Sequence, residues 1–133
     1  MKQENYYQEA MRYIDNARDQ LEDAGKEDKF YKDVKYIKTA CGTAYSGILT
    51  ALDFLFEIKK VPKKKGRKSI EYYQKTLSEI DKKLLKHLNN AYTVLHLDCY
   101  YGGITSINTI ESGFENATSI IAALKPYSKN GSK

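Results

Sequence analysis

The feature that most constrains this chain is the apolar line Ile70, Tyr73, Leu77, Ile80, Leu84, Leu88, Ala91, Leu95, which runs close to a strict heptad. Such spacing gathers side chains on one face of an α-helix, whereas a strand, with its period of two, would scatter them over both faces. Three more lines share it. Tyr7, Ala10, Met11, Ile14, Ala17, Leu21 and Ala24 predict a first helix stopped by Gly25. Val34, Ile37, Cys41, Ala44, Ile48, Leu52 and Leu55 predict a second, ended by Pro62. Tyr45, Leu49, Ala51, Phe56 and Ile58 widen that stripe, as in a helix buried on more than one side. Ser69 can cap the third helix, and Ile107, Ile110, Phe114, Ala117, Ile121 and Leu124 predict a fourth, running to Pro126. Short connections force neighbouring helices to be antiparallel, so the expected fold is all-α, an antiparallel up-down-up-down four-helix bundle. One helical-bundle domain is expected over residues 1–127 and a disordered tail over 128–133.

At 133 residues the chain can bury a core without metal or disulfide support. No apolar run approaches the ~18 to 20 residues that a membrane span requires, so no membrane role is expected. The opening Met1-Lys-Gln-Glu-Asn5 is polar and leads into a helical pattern without a secretory apolar region, which implies a cytoplasmic location. There Cys41 and Cys99 are expected as free thiols. If the second and third helices form a hairpin turning near Lys64, the position level with Cys41 is near residue 87. Cys99 then lies roughly 18 Å farther along, beyond disulfide reach.

The net charge of +5 is unevenly placed. Lys59, Lys60, Lys63, Lys64, Lys65, Arg67 and Lys68 fall within ten positions that hold no acid, and without these seven the chain keeps 15 basic residues against 17 acidic. Clustered cations of this kind can bind a phosphate backbone, and Lys63, Lys64, Lys65, Arg67 and Lys68 are the candidate nucleic-acid contacts. No aromatic residue is interleaved for base stacking, and a solvated loop is the favoured reading. Twelve tyrosines are many for so short a helical chain, and Tyr6, Tyr13, Tyr31, Tyr36, Tyr72 and Tyr101 lie off the main apolar lines. Partly exposed phenol rings suit an interface, so a homodimer is expected, and a protein partner fits as well.

The stretch Tyr92-Thr-Val-Leu-His96-Leu-Asp-Cys-Tyr100-Tyr101-Gly102-Gly103 is where the heptad breaks. Tyr92, His96 and Tyr100 recur every four residues and share a stripe while the helix lasts. His96 could act there as a general base oriented by Tyr100 or Asp98. A histidine at the core margin with one structural hydrogen bond is the favoured alternative, so no catalytic residue is assigned and His96 and Tyr100 stand as candidates. His87 falls roughly level with Cys41, which would suit a thiol–imidazole pair, but a thiol in so apolar a helix is normally inert. The chain lacks the Glu-x-x-His pairs of bundle metal sites, zinc-finger spacing and a phosphate-binding glycine loop, so no metal or cofactor is expected.

The patterns Tyr13-Ile-Asp-Asn-Ala17-Arg-Asp-Gln-Leu21 and Ala40-Cys-Gly-Thr-Ala44-Tyr45 resemble the two opening helices of the HEPN-like superfamily of small bacterial four-helix bundles. The Leu95-His96-Leu-Asp-Cys-Tyr100-Tyr101-Gly102 signature is most similar to a small bacterial family assigned a domain of unknown function. Active members of the superfamily are metal-independent ribonucleases that place an arginine four to six residues before a histidine, at a dimer interface. With His96 as that histidine, the arginine's place falls near Asn89 and Asn90. Asparagine lacks the charged fork that holds a phosphate, so this departure argues against nuclease activity. Other members are partners of nucleotidyltransferases or interaction modules. The expected function is therefore a non-enzymatic interaction or binding module, with a degenerate ribonuclease, a nucleic-acid-binding protein or a nucleotidyltransferase partner as alternatives.

Overall fold

The computed structural model describes residues 5–128. Five α-helices form within it: α1 (Tyr6–Ala24), α2 (Val34–Ile58), α3 (Ile70–Ile80), α4 (Lys82–Ala91) and α5 (Ile107–Ala122). A π-helical segment, Tyr92–Tyr101, continues α4 without a break, and Lys125–Tyr127 form a closing 3-10 turn. The chain is thus predominantly helical, as the spacing predicts. The first helix buries Ala10, Ile14, Ala17, Leu21 and Ala24. The second is buried on more than one side, with Ile37, Cys41, Ala44, Ile48 and Leu52 fully buried and Tyr45, Ala51 and Phe56 flanking them. Residues from α1, α2, α4, the π segment and α5 join in one apolar core, to which α3 adds Tyr73 and Leu77.

The expected third helix is two helices. Asp81 takes an extended conformation (φ −162°, ψ 92°), ends α3, and accepts a hydrogen bond from the Leu84 amide at 3.0 Å as the N-cap of α4. An aspartate whose carboxylate satisfies a first-turn amide competes with continued helix, and the apolar spacing does not register that competition. Ile80, counted as core by its spacing, is accordingly 41% exposed. The α3 helix places Tyr73 against Phe56 and Asp53 near the C-terminal end of α2.

This break also overturns the expectation of free thiols. Cys41 and Cys99 form a disulfide in the core, with Cα atoms 6.1 Å apart and both residues fully buried. Residue 87 would be level with Cys41 only if residues 70–95 ran as one rod against α2. Residues 70–95 are not one rod, since α3 ends at Asp81, and Cys99 rather than residue 87 comes level with Cys41.

Between α1 and α2, where a polar connector is expected, Lys26–Glu27 and Phe30–Tyr31 pair as a small antiparallel hairpin. Asp28 turns it in the left-handed region (φ 58°), a conformation that aspartate tolerates. The hairpin clasps the connector after the π segment: the Tyr31 amide donates to the Thr105 carbonyl at 2.9 Å, and the Ile107 amide to the Lys29 carbonyl at 3.1 Å. Ser106 then caps α5, accepting from the Thr109 amide. Tyr31 is buried as a result, and so is Tyr6, stacked at 4.0 Å on Phe54 with its hydroxyl donating to Glu57. Both were expected among the partly exposed rings, a group to which Tyr36 and Tyr101 do belong. Within the expected tail, Ser128 is buried, and residues 129–133 lie outside the described residues.

Candidate functional site

The π segment decides the chemistry near His96. Its wider turn closes with i→i+5 hydrogen bonds, of which the Gly102 amide to the Leu97 carbonyl at 3.0 Å is the last. Residues four and five apart then share one side, and His96 meets both Tyr100 (ring centroids 5.9 Å) and Tyr101 (5.0 Å). Tyr92 stacks on it from the preceding turn at 5.3 Å, and Tyr45 of α2 at 4.6 Å. Gly103, in the left-handed region (φ 68°), ends the segment and lets the Ile104 amide return to the Asp98 carbonyl.

His96 is thus set in a tyrosine cluster, and burial there lowers its pKa below the ordinary histidine value. Burial likewise raises the pKa of Tyr45, with the neighbouring Tyr92 phenol adding to the effect. Neither ring nitrogen of His96 has a hydrogen-bond partner among the described residues. The arrangement brings His96 and Tyr100 together as rings and supplies no group that orients the imidazole as a base.

Two adjoining hollows share Tyr45 and His96. One, of about 470 Å³, is walled by Thr39, Gly42, Thr43, Ser46, Tyr100 and Tyr101. The other, of about 380 Å³, runs on past Leu49 to Arg67, Lys68, Ser69 and Glu71. The returning loop therefore brings two of the expected basic residues, Arg67 and Lys68, into the lining of a hollow that His96 also lines. Sequence spacing could not place them together, because residues 67 and 96 come to one hollow only through the fold. The signal present was Ser69, whose cap fixes where the loop re-enters the bundle.

The other candidates separate. Lys63, Lys64 and Lys68 line a third hollow, of about 500 Å³, together with Asp53 and Glu57. Lys68 pairs with Asp53 at 3.1 Å, while Lys65 is exposed. His87 does not meet Cys41: its Nδ1 lies 3.0 Å from Asn116 Oδ1. The Asn116 amide nitrogen donates to the Ser112 carbonyl, so Oδ1 is the acceptor and His87 Nδ1 carries the proton. Asn89, near the place the resemblance gives to an arginine, accepts from Gln74 at 2.9 Å. Among the described residues no group of three or more His, Cys, Asp or Glu could hold a metal ion, and no helix is long and apolar enough to cross a membrane.

The chain is similar in structure to a protein of unknown function from Dyadobacter fermentans, with 42% sequence identity and a TM-score of 0.85, over 93% of this chain and 97% of that one. Comparison with the curated proteins finds no match. Residues 5–125 match a family described as a domain of unknown function, DUF5618. The chain is a member of the DUF5618 family.

Proposed function

We propose that this protein is a non-enzymatic binding module whose ligand site is the groove along Tyr45 and His96. The observation that carries the reading is that Tyr45 and His96 line two hollows, one with Tyr100 and Tyr101 and the other with Arg67 and Lys68. Stacked rings offer flat apolar area, and a guanidinium offers a planar fork to an oxyanion. The ligand class that fits is a flat ring bearing an anionic group. Phenyl phosphate is a direct probe, compared with phenol and with inorganic phosphate, and followed through the His96 ring signals by NMR. Phenyl phosphate should shift those signals at lower concentration than either fragment, and Arg67→Ala should weaken it about tenfold, the loss expected for one charge-assisted contact. Equal, non-saturating responses to all three probes would remove the groove as a ligand site.

A HEPN-like, up-down-up-down four-helix arrangement belongs to this reading, with α4 and the π segment counted as one rod. Contacts of α1 with α2, of α2 with the π segment, and of α5 with α4 support it. The cytoplasmic location and the homodimer go with it too. Phe30, Val34, Tyr36, Leu97 and Tyr101 are all at least 40% exposed and supply apolar area for a second copy. Light scattering on the purified chain decides between monomer and dimer.

One observation favours a second reading, a degenerate ribonuclease or nucleic-acid-binding protein. Arg67 and His96 line the same hollow, although no arginine stands four to six residues before the histidine. RNA cleavage lost in His96→Ala would promote it. A nucleotidyltransferase partner role would show as co-purification with such an enzyme encoded beside this protein.

A further inference from the structure

Cys41 and Gly42 are consecutive on α2, and Cys99 and Tyr100 are consecutive on the π segment. The first residues of these two pairs form the buried disulfide, and the second residues touch in the wall of the groove. The covalent link therefore lies directly beneath the ring cluster.

We propose that the Cys41–Cys99 pair is a redox-controlled tie that holds the π-helical wall of the groove in place, and that reducing it loosens residues 92–104. Helix closed by i→i+5 bonds is rare, and it persists here where its surroundings hold it. Three attachments do so here. Gly42 receives the Tyr100 ring, Gly113 of α5 receives Val94 and Leu95, and the disulfide joins the segment to α2. The disulfide is the one attachment of the three that can be made and broken chemically. The dithiol form is also provided for: Cys99 Sγ is 3.5 Å from the Ile37 carbonyl, an acceptor that only a protonated thiol can use. The cover is thin on one side, since Gly42 has no side chain and Tyr100, which lies over it, is 42% exposed.

The chemistry is thiol–disulfide exchange with a dithiol. A thiolate of the reductant attacks one sulfur, the Cys41–Cys99 bond breaks, and the other cysteine leaves as thiolate and takes up a proton. The second reductant thiol then displaces the mixed disulfide. Two electrons and two protons pass to the protein pair, and the reductant becomes a cyclic disulfide.

Hydrogen exchange followed by mass spectrometry tests this on the full chain, before and after dithiothreitol, with the gain of two hydrogens confirming reduction. Amides of residues 92–104 should exchange about tenfold faster in the reduced protein, while α1 keeps its protection. A Cys41→Ala, Cys99→Ala double variant should match the reduced protein and ignore dithiothreitol; wild-type reduction serves alone if that variant does not fold. Unchanged exchange after confirmed reduction overturns the tie, as does uniform loss of protection along the chain, which would mark a global staple. Free thiols in the air-oxidised protein overturn it as well. The tie rests on the groove reading only for its consequence for ligands, and the exchange measurement needs no ligand. Failure of phenyl phosphate to bind in either redox state therefore counts against the groove alone.

Discussion

Gly42 faces the ring of Tyr100 so closely that a methyl group at position 42 would stand 2.9 Å from the Tyr100 ring. The contact joins the middle of the chain's most buried helix to the outer wall of the groove. Because Tyr100 is partly exposed, its ring has somewhere to go. Gly42→Ala should therefore displace the ring from His96 and leave the fold intact. Helix propensity gains about 0.5–1 kcal/mol in the same change, so net stability should move by less than about 1 kcal/mol. Cross-peaks between the His96 and Tyr100 rings should disappear while the thermal midpoint stays within a few degrees.

Gly113 is the contrasting case. A methyl group there would lie 2.7 Å from Leu95 and 2.8 Å from Val94, and Leu95 is fully buried. Leu95 cannot swing into solvent, so Gly113→Ala should cost about 1–3 kcal/mol by overpacking. Urea unfolding of the variant would show a lower midpoint with an unchanged slope.

Burial among tyrosines lowers the pKa of His96, and the sign of the linkage follows. The unfolded chain holds the proton more tightly than the folded one, so stability from this group is complete above the ordinary histidine value of about 6.5. It is lost as the pH falls from there through the lower folded pKa. His96→Phe should flatten that part of the stability profile below about pH 6.5. NMR titration of the imidazole should give a midpoint below the ordinary histidine value of about 6.5.

Asp81→Ala removes the carboxylate that caps α4. A lost N-cap costs about 1 kcal/mol, which corresponds to a few degrees in thermal midpoint. Asp81→Asn, which keeps an acceptor oxygen, should restore most of it.

The helices were legible because burial on a helix leaves a periodic trace, and Ile14, Ile48, Leu88 and Phe114 sit in the core where spacing puts them. Two departures had causes that periodicity cannot carry. Asp81 breaks a line whose apolar spacing runs straight through it, since a cap is a local hydrogen bond and leaves the pattern intact. The cysteine pair was misplaced for the same reason, because its distance was reckoned along a rod that bends. At the site, His96 and Tyr100 were visible as a four-residue stripe, whereas Tyr45 and Arg67 join them only through tertiary packing. The π turn that adds Tyr101 to the stripe left no trace distinguishable from an ordinary helix end.

The clasp between the residue 26–31 hairpin and the connector before α5 joins two crossings that are far apart along the chain. Phe30 bridges Ser106, and the disulfide lies only two turns of α2 from that clasp. Lengthwise sliding of the first pair of helices past the later ones is therefore blocked at this end.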